Sequence, residues 1–210
     1  MTREDDLCWQ NWFDQLSIND YVVIDNFLTT KELKKTIDYF QKLNKRDKFA
    51  KAAIGSSGNE HIISEIRGDY IYWLDADKDN EMIQVFDKLT LVKGMINRYC
   101  FLSLSDYEFH FAYYPSGGFY KKHLDQFSNR NNRMISMIIY LNENWKNGDG
   151  GELKIYPNNS DSKTIEPILN RCILFKSDTL LHEVLKSNKP RKSLTGWMLY
   201  QPSPLIGVTP

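Results

Sequence analysis

The pattern of apolar and polar positions changes character near the middle of the chain. Upstream, helical and extended signals alternate. Residues 21–28 (YVVIDNFL) form a β-branched, apolar run that predicts a strand. Thr29 and Glu32 then stand at capping-box spacing. Leu33, Ile37, Phe40 and Leu43 recur at helical intervals behind them. A second amphipathic helix is predicted over residues 80–99, with Met82, Val85, Phe86, Leu89 and Ile96 on its buried face. Between the helices lies a polar stretch, Gly55-Ser56-Ser57-Gly58-Asn59, and then a strand pair at residues 62–66 and 70–74.

From residue 107 onward short apolar runs follow one another: YEFHFAYY, GFYKKHL, MISMIIYL, ELKIY, RCILF and SLTGWMLY. Turn-rich segments separate them, among them Pro115-Ser116-Gly117-Gly118 and Asn147-Gly148-Asp149-Gly150-Gly151. Many short strands punctuated by turn residues predict a mainly β fold, a double-stranded β-helix of the jelly-roll or cupin type. The N-terminal helices would support it by packing on one sheet. The expected organisation is one domain over residues 1–210, with a support region at 1–105 and a β-helix core at 106–201.

Composition narrows the function classes. Twenty-seven basic residues balance 27 acidic ones, so no net field recruits nucleic acid or an anionic membrane. No apolar run approaches the roughly 18 residues that a bilayer span needs. The first 16 residues lack a basic segment followed by an apolar one, which argues against a secretory signal. Three widely spaced cysteines (Cys8, Cys100 and Cys172) form no CxxC pair, and suit a reduced, cytoplasmic protein with core or surface thiols.

The chemistry concentrates in the second half. His123 and Asp125 lie two apart on a predicted strand, where side chains i and i+2 share a face. An imidazole and a carboxylate side by side are two ligands of the 2-His-1-carboxylate triad, which leaves open positions on iron. His182, in Leu180-Leu181-His182-Glu183-Val184, follows about four short strands later, enough for one turn around a barrel. His61 and His110 lack such placement and read as structural or surface residues. Arg191 precedes the strand 193–200 and offers a planar fork suited to a carboxylate. Tyr114 and Tyr140 sit in strands, and a buried tyrosine needs a partner for its hydroxyl. Each could approach an oxoacid or simply fill core. Gly150 and Gly151 permit a tight hairpin backbone.

Taken together, YYP, HLD, IIYLNENW, GGELKIYP, IEP, LHEV and the strand after Arg191 resemble the prolyl 4-hydroxylase branch of the Fe(II)- and 2-oxoglutarate-dependent oxygenases. Residues 66–73 (IRGDYIYW) are similar to a segment of the hypoxia-inducible-factor prolyl hydroxylases and of bacterial relatives acting on elongation factor Tu. The resemblance covers residues 60–200. It implies His123, Asp125 and His182 as iron ligands and Arg191, with Tyr140, on the far carboxylate of 2-oxoglutarate. Tyr114 would approach the co-substrate near the metal. Arg67, Asp69 and Arg133 would tie a substrate-covering segment to the loop 126–133, and Trp197 would line the pocket wall. Ascorbate is implied as an auxiliary reductant, O2 as co-substrate, and a proline-bearing protein or peptide, elongation factor Tu among the candidates, as substrate. Nucleic acid and membrane are not expected partners. The alternatives are hydroxylation of a free amino acid or another protein side chain, a cupin-type enzyme with another metal, and a non-catalytic jelly-roll binding module.

Overall fold

A computed structural model describes residues 3–52, 66–126, 131–157 and 161–200. Helix α1 (Arg3–Asn19) leads into β1 (Tyr21–Ile24), α2 (Thr30–Lys45) and the short β2 (Ala50–Lys51). Strand β3 (Tyr70–Trp73) and a 3-10 turn (Asn80–Met82) precede α3 (Ile83–Cys100). Eight strands follow: β4 (Leu104–Tyr114), β5 (Tyr120–His123), β6 (Arg133–Tyr140), β7 (Leu153–Tyr156), β8 (Lys163–Ile165), β9 (Cys172–Lys176), β10 (Leu181–Val184) and β11 (Arg191–Tyr200). Seven strands make a major sheet in the order β1-β9-β6-β11-β4-β3-β2, and four make a minor sheet, β5-β10-β7-β8. All described pairings are antiparallel.

Strand alternation sends side chains of the major sheet into two separate cores. Phe109 and Phe111 of β4, Ile135, Met137 and Ile139 of β6, and Cys172 and Leu174 of β9 face the helices. Ala112 and Tyr114, Ile138 and Tyr140, and Ile173 and Phe175 face the minor sheet, where they meet Leu153, Ile155, Ile165 and Val184. A sheet buried on both faces explains why MISMIIYL reads as a continuous apolar run. The expected jelly-roll fold with helices on one sheet is the fold found. Strands β1 to β3 extend the major sheet, so the N-terminal region supplies edge strands as well as helices.

The α2 cap forms as its sequence predicts: Thr29 Oγ1 accepts from the Glu32 amide and Glu32 accepts from the Thr29 amide. Helix α3 buries Met95 and Val92 beside the residues named from its periodicity. Helix α1 was absent from the expectations. Its Trp9, Phe13 and Leu16, spaced four and three apart, are buried, and Phe13 stacks on Tyr99 of α3. The same i, i+4, i+7 signal was available in the sequence. The run 21–28 is a strand only to Ile24, because Asn26 takes a positive φ that turns the chain toward α2. Residues 62–65, His61 and most of the 55–66 segment lie outside the described residues, as does 127–130 of the loop after Asp125.

Gly196 of β11 shows how tightly the helix-side core is closed. A Cβ there would stand 2.2 Å from the Glu108 carbonyl oxygen and 2.4 Å from the Phe109 ring. Replacing Gly196 with alanine is therefore expected to cost about 1–3 kcal/mol or more of unfolding free energy, as overpacking does. Urea denaturation followed by circular dichroism checks this; an unchanged midpoint would contradict it.

Candidate metal centre

The antiparallel pairing of β5 with β10 sets His123 directly opposite His182. Strand β5 ends at His123, so Asp125 sits in the bend just beyond it and not on the strand itself. The bend still turns the carboxylate toward the histidines. Asp125 Oδ1 lies 3.5 Å from His123 Nε2 and 3.7 Å from His182 Nε2. The three ligand atoms fall within 4.8 Å of one another.

Each donor is aimed by a second contact. His123 Nδ1–H donates to the Lys121 carbonyl at 2.7 Å, and His182 Nδ1–H to the Leu180 carbonyl at 3.0 Å. A carbonyl only accepts, so both protons sit on Nδ1 and both Nε2 lone pairs face the centre. Ser136 Oγ donates to Asp125 Oδ2 at 2.6 Å and lies 2.8 Å from Ser177 Oγ. That leaves Oδ1 for the shared position. Tyr120 stacks on the His123 ring at 3.6 Å, and Phe175 meets His182 edge-on.

The electrostatics suit a cation. Burial alone would raise the Asp125 carboxyl, but the charge that His182 carries when protonated, the flanking His123 and the Ser136 hydroxyl outweigh it, holding the carboxyl well below its usual range. Burial lowers the His182 pKa to about 4, with Asp125 pulling the other way, so its ring is neutral at physiological pH.

Arg191 opens β11 opposite Tyr114 and is almost wholly buried. Its Nε donates to the Gly151 carbonyl at 2.9 Å, and its guanidinium lies 4.9 Å from the ring centres of both Tyr114 and Tyr140. Gly150 and Gly151 take positive φ, and a Cβ on Gly151 would come within 3.0 Å of Arg191 Cδ. The turn is glycine-rich partly to let the arginine lie against it.

Among the described residues no carboxylate pairs with Arg191. Beside it the Tyr140 hydroxyl is buried without a hydrogen-bond partner. Burial pushes that phenol up, and the nearby guanidinium opposes the rise without the geometry of a hydrogen bond. An unpaired buried cation costs several kcal/mol, and an orphaned hydroxyl about 1–3. A ligand carboxylate would relieve both.

Of the four outer residues, Arg67 and Asp69 form a two-pronged ion pair at 2.7 and 2.6 Å, with Arg67 resting on the Tyr120 ring. Arg133 pairs with Glu108 of β4 at 2.6 Å and lies 3.4 Å over Trp197. The expected tie therefore takes the form of two local pairs. It reaches the metal loop through Tyr120 and through the 3.5 Å approach of Arg133 Nη1 to the Asp125 carbonyl. Glu108, Tyr120, Ser136 and Ser177 were missed from sequence. Ser136 alone carried a signal: it is the polar residue of an apolar run, in phase with Tyr140. His110, expected at the surface or as a structural residue, is buried on the pocket face of β4 between Trp73 and Trp197.

Two imidazoles, one carboxylate and a carboxylate-seeking arginine, at one end of a double-stranded β-helix, form the donor set of an oxygenase that works with Fe(II) and 2-oxoglutarate. Residues 109–199 match the family model of the 2OG-Fe(II) oxygenase superfamily. The chain is 30% identical, over an alignment that covers 87% of its length, to the hypoxia-inducible factor prolyl hydroxylase of Caenorhabditis elegans, of which it spans 27%. A crystal structure of a Pseudomonas putida prolyl-4-hydroxylase superposes with a TM-score of 0.84 at 30% identity, over 92% of this chain and 99% of that one. A Trichoplax adhaerens prolyl hydroxylase in complex with a hypoxia-inducible factor peptide fragment gives 0.83 at 26% identity, over 95% and 94%. The chain belongs to the 2-oxoglutarate–Fe(II) oxygenases, in their prolyl hydroxylase branch.

Two outcomes are expected from this geometry. Arg191→Ala should raise the 2-oxoglutarate requirement steeply while leaving iron affinity near its original value; an unchanged requirement in steady-state assays would contradict it. Ser136→Ala frees Asp125 to rotate and should weaken metal binding about 10- to 100-fold. Competition with a fluorescent chelator measures that loss.

Proposed function

We propose that this protein is a 2-oxoglutarate-dependent dioxygenase that hydroxylates a prolyl residue of a protein substrate. The observation that carries the proposal is the pairing of a converged His123–Asp125–His182 cluster with a buried Arg191 that meets no carboxylate among the described residues. His123, Asp125 and His182 would hold Fe(II); Arg191 and Tyr140 would hold the far carboxylate of 2-oxoglutarate, with Tyr114 beside them. Bound iron and 2-oxoglutarate together supply an oxidant that uses O2 to convert a C–H bond into C–OH, releasing succinate and CO2.

The chain's own residues do the positioning. Lys121 and Leu180 carbonyls fix the two imidazole tautomers, and Ser136 fixes the carboxylate. Tyr114 and Tyr140 wall the arginine off from water. Trp197, Arg133, Arg67 and Asp69 shape the approach to the centre. Ascorbate is assigned as an auxiliary reductant on family grounds alone. Elongation factor Tu is proposed as the first substrate to test, on the strength of the IRGDYIYW segment. A cytoplasmic location belongs to the same reading and rests on three free cysteines.

The test is succinate formation by purified, iron-loaded protein with 2-oxoglutarate and O2. Wild type is compared with His182→Ala, with and without a proline-bearing elongation factor Tu peptide. Turnover that needs His182 and rises with the peptide, which gains one oxygen atom, is the expected result. Turnover that ignores every prolyl peptide would return the substrate to free amino acids or other side chains. No turnover would leave a jelly-roll binding module.

A further inference from the structure

One part of the pocket wall is not used by the metal or the oxoacid. His110 of β4 packs between Trp73 of β3 and Trp197 of β11, at ring-centre distances of 4.7 and 5.4 Å. Two nitrogens in this stack, His110 Nδ1 and Trp197 Nε1, are buried without a hydrogen-bond partner. His110 is 3% exposed and Trp197 8%, so neither nitrogen is satisfied by bulk water. Each orphan costs about 1–3 kcal/mol. A stack retained only for packing would be served better by phenylalanine.

The stack lies next to the metal ligands. Trp197 pairs in register with Ser136, the residue that holds Asp125. His110 pairs with Thr195, one step along the same face toward Arg191. The half-exposed Trp73 forms the outer wall of the stack, on the side open to solvent.

Charge indicates which chemistry fits. The charged groups that face His110 are Arg67, Asp69, Arg133 and Asp125. Arg67 is taken by Asp69, Arg133 by Glu108, and Asp125 by the metal cluster. Burial keeps His110 itself neutral, with a pKa near 3. Among the described residues no spare countercharge remains for the ammonium or carboxylate of a free amino acid, whose desolvation would cost several kcal/mol. An indole N–H can only donate, and the His110 Nδ1–H tautomer donates too. Two donors on one wall suit one neutral acceptor, a carbonyl oxygen.

We propose that His110 and Trp197 form a neutral subsite that binds an amide carbonyl flanking the target proline, and so select a peptide-embedded prolyl residue over free proline. This rests on the prolyl-peptide reading above and adds the residues that would enforce it.

The test is calorimetric titration of peptide into protein loaded with Mn(II) and 2-oxoglutarate, using prolyl peptides from elongation factor Tu and from hypoxia-inducible factor, and free L-proline. The tighter-binding peptide should lose about tenfold in affinity in His110→Phe, which keeps the ring stack but not the nitrogen. Trp197→Phe should lose about as much. His110→Asn, whose amide can occupy the Nδ1 position, should stay within about threefold of wild type. A purely structural histidine predicts the reverse order, with phenylalanine tolerated and asparagine not, and that result would overturn the proposal. So would free proline binding as tightly as the peptide. If wild type binds neither peptide, the prolyl-peptide reading falls and this subsite with it; if wild type binds and His110→Phe binds equally, only the subsite falls.

Discussion

The site depends on the antiparallel register between β5 and β10. A slip of one residue would turn His182 to the opposite face of the minor sheet, because side-chain direction alternates along a strand. The register is held from both sides. Strand β10 also pairs with β7, so that His182 lies opposite Ile155, whose side chain is fully buried. The hydrophobic core between the sheets therefore fixes the ligand geometry: moving the histidine would also expose Val184 or displace Ile155. Asp125 needs a different restraint, since it lies past the end of its strand. Ser136 on the major sheet supplies it, and the metal cluster thus spans both sheets.

Strand β11 organises the rest. It lies between β4 and β6 along most of its length and presents Arg191, Ser193, Thr195 and Trp197 to the pocket in one line. Arg191 stands at the oxoacid end and Trp197 near the metal carboxylate. The separation between co-substrate anchor and pocket wall is thus set by the rise of a strand, a stiff spacer. The opposite face of the same strand carries Leu194, Gly196 and Met198 into the helix-side core, so the helices brace the strand on which the pocket is built.

The charges divide in a way that matters for function. Among the described arginines around the metal cluster, Arg67 has Asp69 and Arg133 has Glu108. Of these three described arginines Arg191 alone keeps its charge free, next to a tyrosine hydroxyl that is also free. Unpaired buried groups are expensive in the folded state, and those here mark the places where a ligand completes the hydrogen bonding.

Much of this was legible in the sequence because it is local. Short apolar runs separated by turn residues announced the β-helix. Thr29 and Glu32 announced the start of α2, and His-x-Asp, the distant His182 and Arg191 carried the chemistry of the site. Motif resemblance then supplied the roles. The sequence was silent where the cause is contact between distant segments. Nothing near Ser136 says that it meets Asp125 and Ser177, and nothing near Glu108 says that it takes Arg133. His110 looked peripheral because its importance comes from Trp73 and Trp197 on the two neighbouring strands. Periodicity reports which face a residue occupies; only the packing of two sheets decides what stands opposite it, and that pairing decides which polar atoms are left for a ligand.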